Sequence, residues 1–143
     1  LMSANKLNDD TFVAGRPITK GWMSSRYGKR TDPFTGRLAW HAGVDFAGKM
    51  GADIVAVASG VVTWSGPRYG YGNLVEINHG NGYKTRYAHC KEIEVAVGDV
   101  VRKGDVVALM GSTGRSTGPH VHFEVYKNGR TVDPAAYIHR KPR

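Results

Sequence analysis

The sequence predicts a mainly β domain, made of short strands joined by tight turns, with few and short helices. Three observations lead there. Nineteen glycines among 143 residues accompany an ordinary apolar content of 41%, a balance that favours frequent chain reversal over disorder. Asn-Gly occurs at Asn81-Gly82 and Asn128-Gly129, and Gly-Asp at Gly98-Asp99 and Gly104-Asp105; Asn-Gly is the strongest short-range hairpin signal. His120 to Tyr126 alternates polar and apolar residues with the period of a strand. A chain of this length suits one domain with a core of its own.

Taken in order, residues 1–15 lack any period and read as an N-terminal arm, so the domain is expected to run over 16–138, with a basic tail at 139–143. Between Gly21 and Trp40, turn signals at Gly28, Asp32-Pro33 and Thr35-Gly36 crowd together, which predicts a loop region. From Ile54, IVAVASGVVTWSG reads as two short strands meeting near Gly60. Leu74 to Ile77 and Tyr83 to Tyr87 form the next pair, with His79 in the turn between them. The two Gly-Asp turns flank Val100-Val101, Val106 to Met110 is a further strand, and 111–118 is a loop. Pro134 suits the start of one terminal helical turn reaching Ile138.

Lys and Arg exceed Asp and Glu, 20 to 12, for a formal charge of +8, so the surface field attracts polyanions. The basic residues are scattered, and no RNA-recognition signature or zinc-finger spacing accompanies them, which argues against a nucleic-acid partner. The single cysteine, Cys90, excludes an intrachain disulfide and a thiolate metal cluster. No run of about 18 apolar residues and no signal peptide is present. Leu1-Met2-Ser3 reads as a processed or cloned boundary, which leaves room for a signal or anchor removed upstream. The loop 111–118 lacks the Gly-Lys-Ser/Thr ending of a phosphate-binding loop.

The chemistry centres on STGPHVHFE, Ser116 to Glu124. Residues two apart on a strand share a face, so His120 and His122 point into one pocket while Val121, Phe123 and Val125 point into the core. Upstream, WHAGVDF supplies His41 and Asp45, and Tyr87-Ala88-His89 supplies a further imidazole at a strand end. Two histidines and a carboxylate are a common way to hold zinc with one position left open. His41, Asp45 and one of the His120/His122 pair complete such a set and leave two imidazoles over. Spare histidines near a Lewis-acidic metal suit general acid-base work in a hydrolase.

His41-x-x-x-Asp45, Tyr87-Ala88-His89 and His120-x-His122, set among GYGN, NHGNGY, GDVVRKGD and STGPHVHFE, closely resemble the lysostaphin-type, or LytM-domain, zinc metallopeptidases. The likeness runs from about Ser24 to Ile138. It implies a small antiparallel β-sheet fold with a substrate groove across the sheet, zinc as cofactor, and peptide crosslinks of bacterial peptidoglycan as substrate. By the same likeness His41, Asp45 and His122 are metal ligands, His89 and His120 the catalytic pair, and Asn73 of GYGN a substrate-binding residue. The crosslink is expected to be the D-alanine to diaminopimelate bond; a glycyl-glycine bridge, or a non-catalytic module that binds envelope material or activates an amidase, is the alternative. A cell-envelope (periplasmic) or secreted location follows from the substrate class.

Outside these motifs, His79 and His139 read as surface residues and Cys90, where relatives more often carry an apolar residue, as a small packed side chain. Glu124 shares the face of His120 and His122, so it reads either as a carboxylate that orients a ligand or as a solvent-facing group.

Overall fold

The computed structural model describes residues 11–114, 116 and 118–140. The expected arm over 1–10, the tail beyond 140 and two positions of the loop before His120 lie outside them. The chain forms strands β1 (Trp22–Ser25), β2 (Gly28–Thr31), β3 (Leu38–His41), β4 (Val44–Ala47), β5 (Asp53–Val55), β6 (Gly60–Arg68) and β7 (Gly72–Gly80). Six more follow: β8 (Tyr83–Ala88), β9 (Cys90–Ile93), β10 (Val100–Val101), β11 (Val106–Met110), β12 (His120–Lys127) and β13 (Arg130–Val132). A short helix, α1, is Ala135–Ile138, entered through Pro134.

The main sheet has the order β1-β4-β12-β8-β7-β6-β10, with β13 also paired to β12, and every pairing in it is antiparallel. A three-stranded sheet, β5-β11-β9, and the β2-β3 hairpin complete the fold. The antiparallel β architecture expected from the sequence is therefore the one observed. Asn81-Gly82 and Asn128-Gly129 both adopt positive φ at both positions, 52° and 82°, then 53° and 81°. That is the backbone of a tight hairpin turn whose twist matches its strands.

Strand β12 shows how alternation places the site. Val121, Phe123 and Val125 are fully buried and join one hydrophobic cluster with Phe46 of β4, Ile77 of β7, Tyr87 of β8 and Met110 of β11. Its other face carries His120, His122 and Glu124. Because β4 and β12 pair with His122 opposite Asp45 and Val121 opposite Phe46, the carboxylate and the imidazole emerge side by side on the same surface.

Three expectations need correction. Residues 21–40 hold three short strands, not a loop; their exposed positions include the apolar Trp22, Leu38 and Trp40, so no apolar face points to a core and the alternation by which strands are recognised is missing. The turn signals there mark real turns, since Asp32 Oδ1 accepts from the Phe34 and Thr35 amides at 2.7 and 3.2 Å. His79 belongs to β7, not to a turn, and is 5% exposed. Val13 and Ala14, in the stretch read as arm, are buried, and Val13 belongs to the main cluster.

Candidate metal centre and active site

His41 and Asp45, His89, and His120 and His122, from three parts of the chain, meet at one cleft of about 520 Å³. His41 ends β3 and Asp45 sits on β4, so the turn at Ala42-Gly43 bends the H-x-x-x-D motif back on itself. Gly43 makes that turn possible: a Cβ there would stand 2.3 Å from the Phe123 carbonyl oxygen and 3.0 Å from His122 Cε1. The backbone between the two motif residues runs against β12, which brings both toward His122.

His122 Nδ1 lies 2.8 Å from Asp45 Oδ1, and His41 Nε2 lies 3.2 Å from His122 Nδ1 and 3.3 Å from Asp45 Oδ1. All three ligand atoms fall within 4.8 Å of one another. The far side of each ring sets its tautomer. His41 Nδ1–H donates to the Arg26 carbonyl at 2.7 Å, and His122 Nε2–H donates to Glu124 Oε2 at 2.8 Å; both oxygens only accept. Two nitrogen lone pairs and a carboxylate oxygen therefore converge with no donor between them, which is the chemistry of a divalent-cation site.

Without metal, a proton takes that place. Burial opposes charge on His122, but hydrogen bonds with Asp45 and Glu124 outweigh it and push the imidazole up to about 9. Burial likewise opposes the Asp45 carboxylate, yet hydrogen bonds from His122 and His41 hold its pKa well below the usual carboxylate range. Glu124 is 2% exposed; burial would raise its pKa, but the His122 hydrogen bond and Tyr71, with Arg86 nearby, keep it low. Tyr71 Oη donates to Glu124 Oε1 at 3.0 Å. Of the two readings of Glu124, the one that orients a ligand matches this placement.

His89 and His120 stand on the other side of the cleft, ring centroids 4.8 Å apart, with His89 6.1 Å from His122. His89 follows β8 with φ +64°, a left-handed conformation rare outside glycine. Its amide donates to the Tyr71 carbonyl at 2.8 Å and its Nδ1–H to the Thr113 carbonyl at 2.5 Å. His120 Nδ1–H donates to the Gly118 carbonyl at 2.8 Å, with Ser116 Oγ 3.1 Å away. Each ring therefore keeps Nε2 as a lone-pair acceptor. Burial pulls His89 down to about 4 in spite of its carbonyl partner, so it is neutral near pH 7.

A family model described as peptidase family M23 matches residues 39–134. The chain belongs to peptidase family M23. This is the family that the three motifs resemble. The family is zinc-dependent, and the His–Asp–His cluster could hold that metal. Over 120 residues this M23 domain is 43% identical to the DD-carboxypeptidase/endopeptidase Mpg of Neisseria meningitidis serogroup B, covering 84% of the chain and 28% of that protein. It is equally similar, 43% over 120 residues, to the peptidoglycan DD-endopeptidase ShyB of Vibrio cholerae, covering 84% of the chain and 27% of that protein. The chain thus spans just over a quarter of the length of these curated relatives. Among solved structures, it matches the catalytic domain of lysostaphin from Staphylococcus simulans with TM-score 0.75 and 30% identity, covering 96% of the chain and 98% of that domain. A zinc-containing peptidase from Vibrio cholerae matches with TM-score 0.70 and 36% identity over 94% of the chain and 40% of that structure.

Asn73, expected from the resemblance to bind substrate, is not among the described residues lining the cleft. Its Nδ2 donates to the Cys90 carbonyl at 3.1 Å and its amide to Thr113 Oγ1 at 3.1 Å. In this M23 domain it braces the segments on either side of His89. Cys90 is fully buried, and burial pushes its thiol up to about 12, which suits a packed side chain. Tyr71 and Arg30, both in the cleft wall, belong to no motif, but they fall in the segments 66–71 and 26–37 that the sequence marks as candidates for setting selectivity. Neither shares a strand with the histidines, and only the pairing of distant strands brings them near.

Proposed function

We infer that the domain is a zinc endopeptidase that hydrolyses peptide crosslinks of peptidoglycan, at the D-alanine to diaminopimelate bond. One observation carries this reading: the convergent donor triad of His41, Asp45 and His122 shares a cleft with two further imidazoles, His89 and His120, whose Nε2 atoms have no protein partner among the described residues. The names of the relatives from Neisseria and Vibrio support the substrate class.

His41, Asp45 and His122 would hold the zinc. A bound zinc supplies Lewis acidity, which makes water nucleophilic near neutral pH and draws electron density from the scissile carbonyl. His89, kept neutral by burial, is ready to accept the proton of the attacking water, and the imidazolium so formed returns it to the leaving amine. His120 is held by Gly118 with its Nε2 toward the same space, where it is placed to take up a proton and then donate it to the developing oxyanion. The carbonyls of Thr113 and Gly118 fix both tautomers, so neither ring reorganises between steps. The net charge of +8 favours approach to an anionic wall polymer, in keeping with an envelope or secreted location. Among the described residues no helix is long and apolar enough to cross a membrane.

The test is mass spectrometry of fragments released by the zinc-loaded domain from purified sacculi and from defined crosslinked muropeptides. Release of monomers with a new D-alanine carboxyl terminus is the expected result. Zinc binding without any release supports a non-catalytic module, and release from pentaglycine alone moves the substrate to glycine bridges.

A further inference from the structure

Asp45 divides its two oxygens. Oδ1 faces both ligand imidazoles, while Oδ2 lies 3.5 Å from Arg30 Nη1. Arg30 stands on β2, in the wall of the cleft, with a third of its side chain exposed. Its Nη1 donates to Ser25 Oγ at 2.7 Å. A guanidinium carries five N–H donors in a rigid fork, and among the described residues no protein acceptor takes those on Nη2 and Nε. Among the described residues lining the cleft Arg30 is also the one Lys or Arg. The Asp32 carboxylate on the same wall is turned to its own turn amides. A fixed cation with open donors, next to a metal ligand and facing solvent, is a site for an anion.

We propose that Arg30, oriented by Ser25, binds a free carboxylate on the amine side of the scissile bond, and that this contact selects the crosslink. This rests on the zinc endopeptidase reading given above. In the proposed orientation the amine-side residue runs from the triad toward β2, with its nitrogen within reach of His89 and its substituents toward Arg30 beside Asp45. In a D-alanine to diaminopimelate crosslink the carbon bearing the amine nitrogen also bears a carboxylate, separated from the carbonyl only by that nitrogen and that carbon. In a glycine bridge the corresponding carbon continues into another neutral amide, which offers the fork no charge. A chain-terminal D-amino acid presents its carboxylate on the same carbon, so the subsite accepts removal of a terminal residue as well as opening of a crosslink.

Two synthetic crosslinked peptides, identical except that the amine-side carboxylate is free in one and amidated in the other, test the proposal with the zinc-loaded domain. Charge-assisted pairing of a carboxylate with a guanidinium predicts a wild-type preference in kcat/KM of about ten- to a hundredfold for the free acid. Arg30→Gln brings that ratio to within about threefold, and Arg30→Lys retains part of it. A ratio that survives Arg30→Gln while both rates and zinc content fall overturns the proposal, because Arg30 then acts only through Asp45. The wild-type ratio decides even if Arg30→Gln does not fold: cleavage of both peptides without preference overturns the subsite and leaves the endopeptidase reading standing. Cleavage of neither peptide overturns that reading, and the subsite with it.

Discussion

His122 Nδ1 and Asp45 Oδ1 sit 2.8 Å apart because their residues are direct partners across β4 and β12. Strand pairing, not loop conformation, sets the distance between two of the three proposed ligands. The third, His41, is carried to them by the sharp turn at Gly43. A site built on paired strands inherits the rigidity of the sheet, which suits ligands that must stay within a few tenths of an ångström of their positions.

Ligand and acid-base roles separate by substitution. His122→Ala is expected to lose zinc and turnover together, whereas His120→Ala keeps zinc and loses turnover by about 10²–10⁴-fold, the usual worth of a positioned acid-base group. Metal content by atomic emission beside cleavage of a crosslinked muropeptide checks both. Near-full activity in His120→Ala would rule out its catalytic role.

Glu124 is expected to hold His122 in its working tautomer. Glu124→Ala leaves the buried Nε2–H without its acceptor, and zinc affinity should fall about 10–100-fold, as for other carboxylates behind a histidine ligand. Glu124→Gln retains an acceptor oxygen and should lie between. Competition with a chelator of known affinity reads both variants; equal affinity in all three proteins would sink the idea.

Gly43→Ala inserts a methyl group 2.3 Å from the Phe123 carbonyl oxygen. Overpacking of this kind costs about 1–3 kcal/mol, and here the strain falls between two ligands. The variant should unfold at lower urea concentration and bind zinc more weakly, whereas Gly51→Ala, strained only by its φ of +85° with nothing within 4 Å of the added atom, should lose stability but leave zinc affinity unchanged.

His79 makes stability acid-sensitive. Its Nδ1–H donates to the Ser59 carbonyl at 2.8 Å and its Nε2 lies 2.7 Å from Thr85 Oγ1. The carbonyl only accepts, so the ring carries a proton on Nδ1. Burial lowers its pKa from 6.5 to about 4. The unfolded chain thus binds the proton more readily, so the contribution is complete above about pH 6.5 and is lost as pH falls toward 4. At 1.36 kcal/mol per unit the full effect is about 3 kcal/mol. Urea unfolding of zinc-free wild type and His79→Gln at pH 7 and 4.5 tests this: the wild type should lose more stability across the interval than the variant does.

The legible parts of the fold were those governed by local rules. Strand β12 could be read because one face is wholly apolar, and both Asn-Gly hairpins because few dipeptides accept positive φ twice. Strands β1, β2 and β3 could not, since exposed strands carry no alternation and their turn residues dominate the pattern. His79 read as a turn residue because β7 runs on to Gly80, beyond its apolar stretch, and the partners it bonds, Ser59 just before β6 and Thr85 on β8, come from other parts of the chain. Asn73 stands two residues from Tyr71 of the cleft wall, yet its Nδ2 is turned to the Cys90 carbonyl next to His89.

By itself the sequence determined which residue types could form a metal centre and that two of them, His120 and His122, share a strand face, because a period of two is a property of the backbone. Only the tertiary structure decided that Asp45 lies opposite His122, that Glu124 turns Nδ1 toward the metal position, and that Arg30 enters the same cleft. Those relations depend on strand register, and register is set by the packing of Val121, Phe123 and Phe46 in a core assembled from the whole chain.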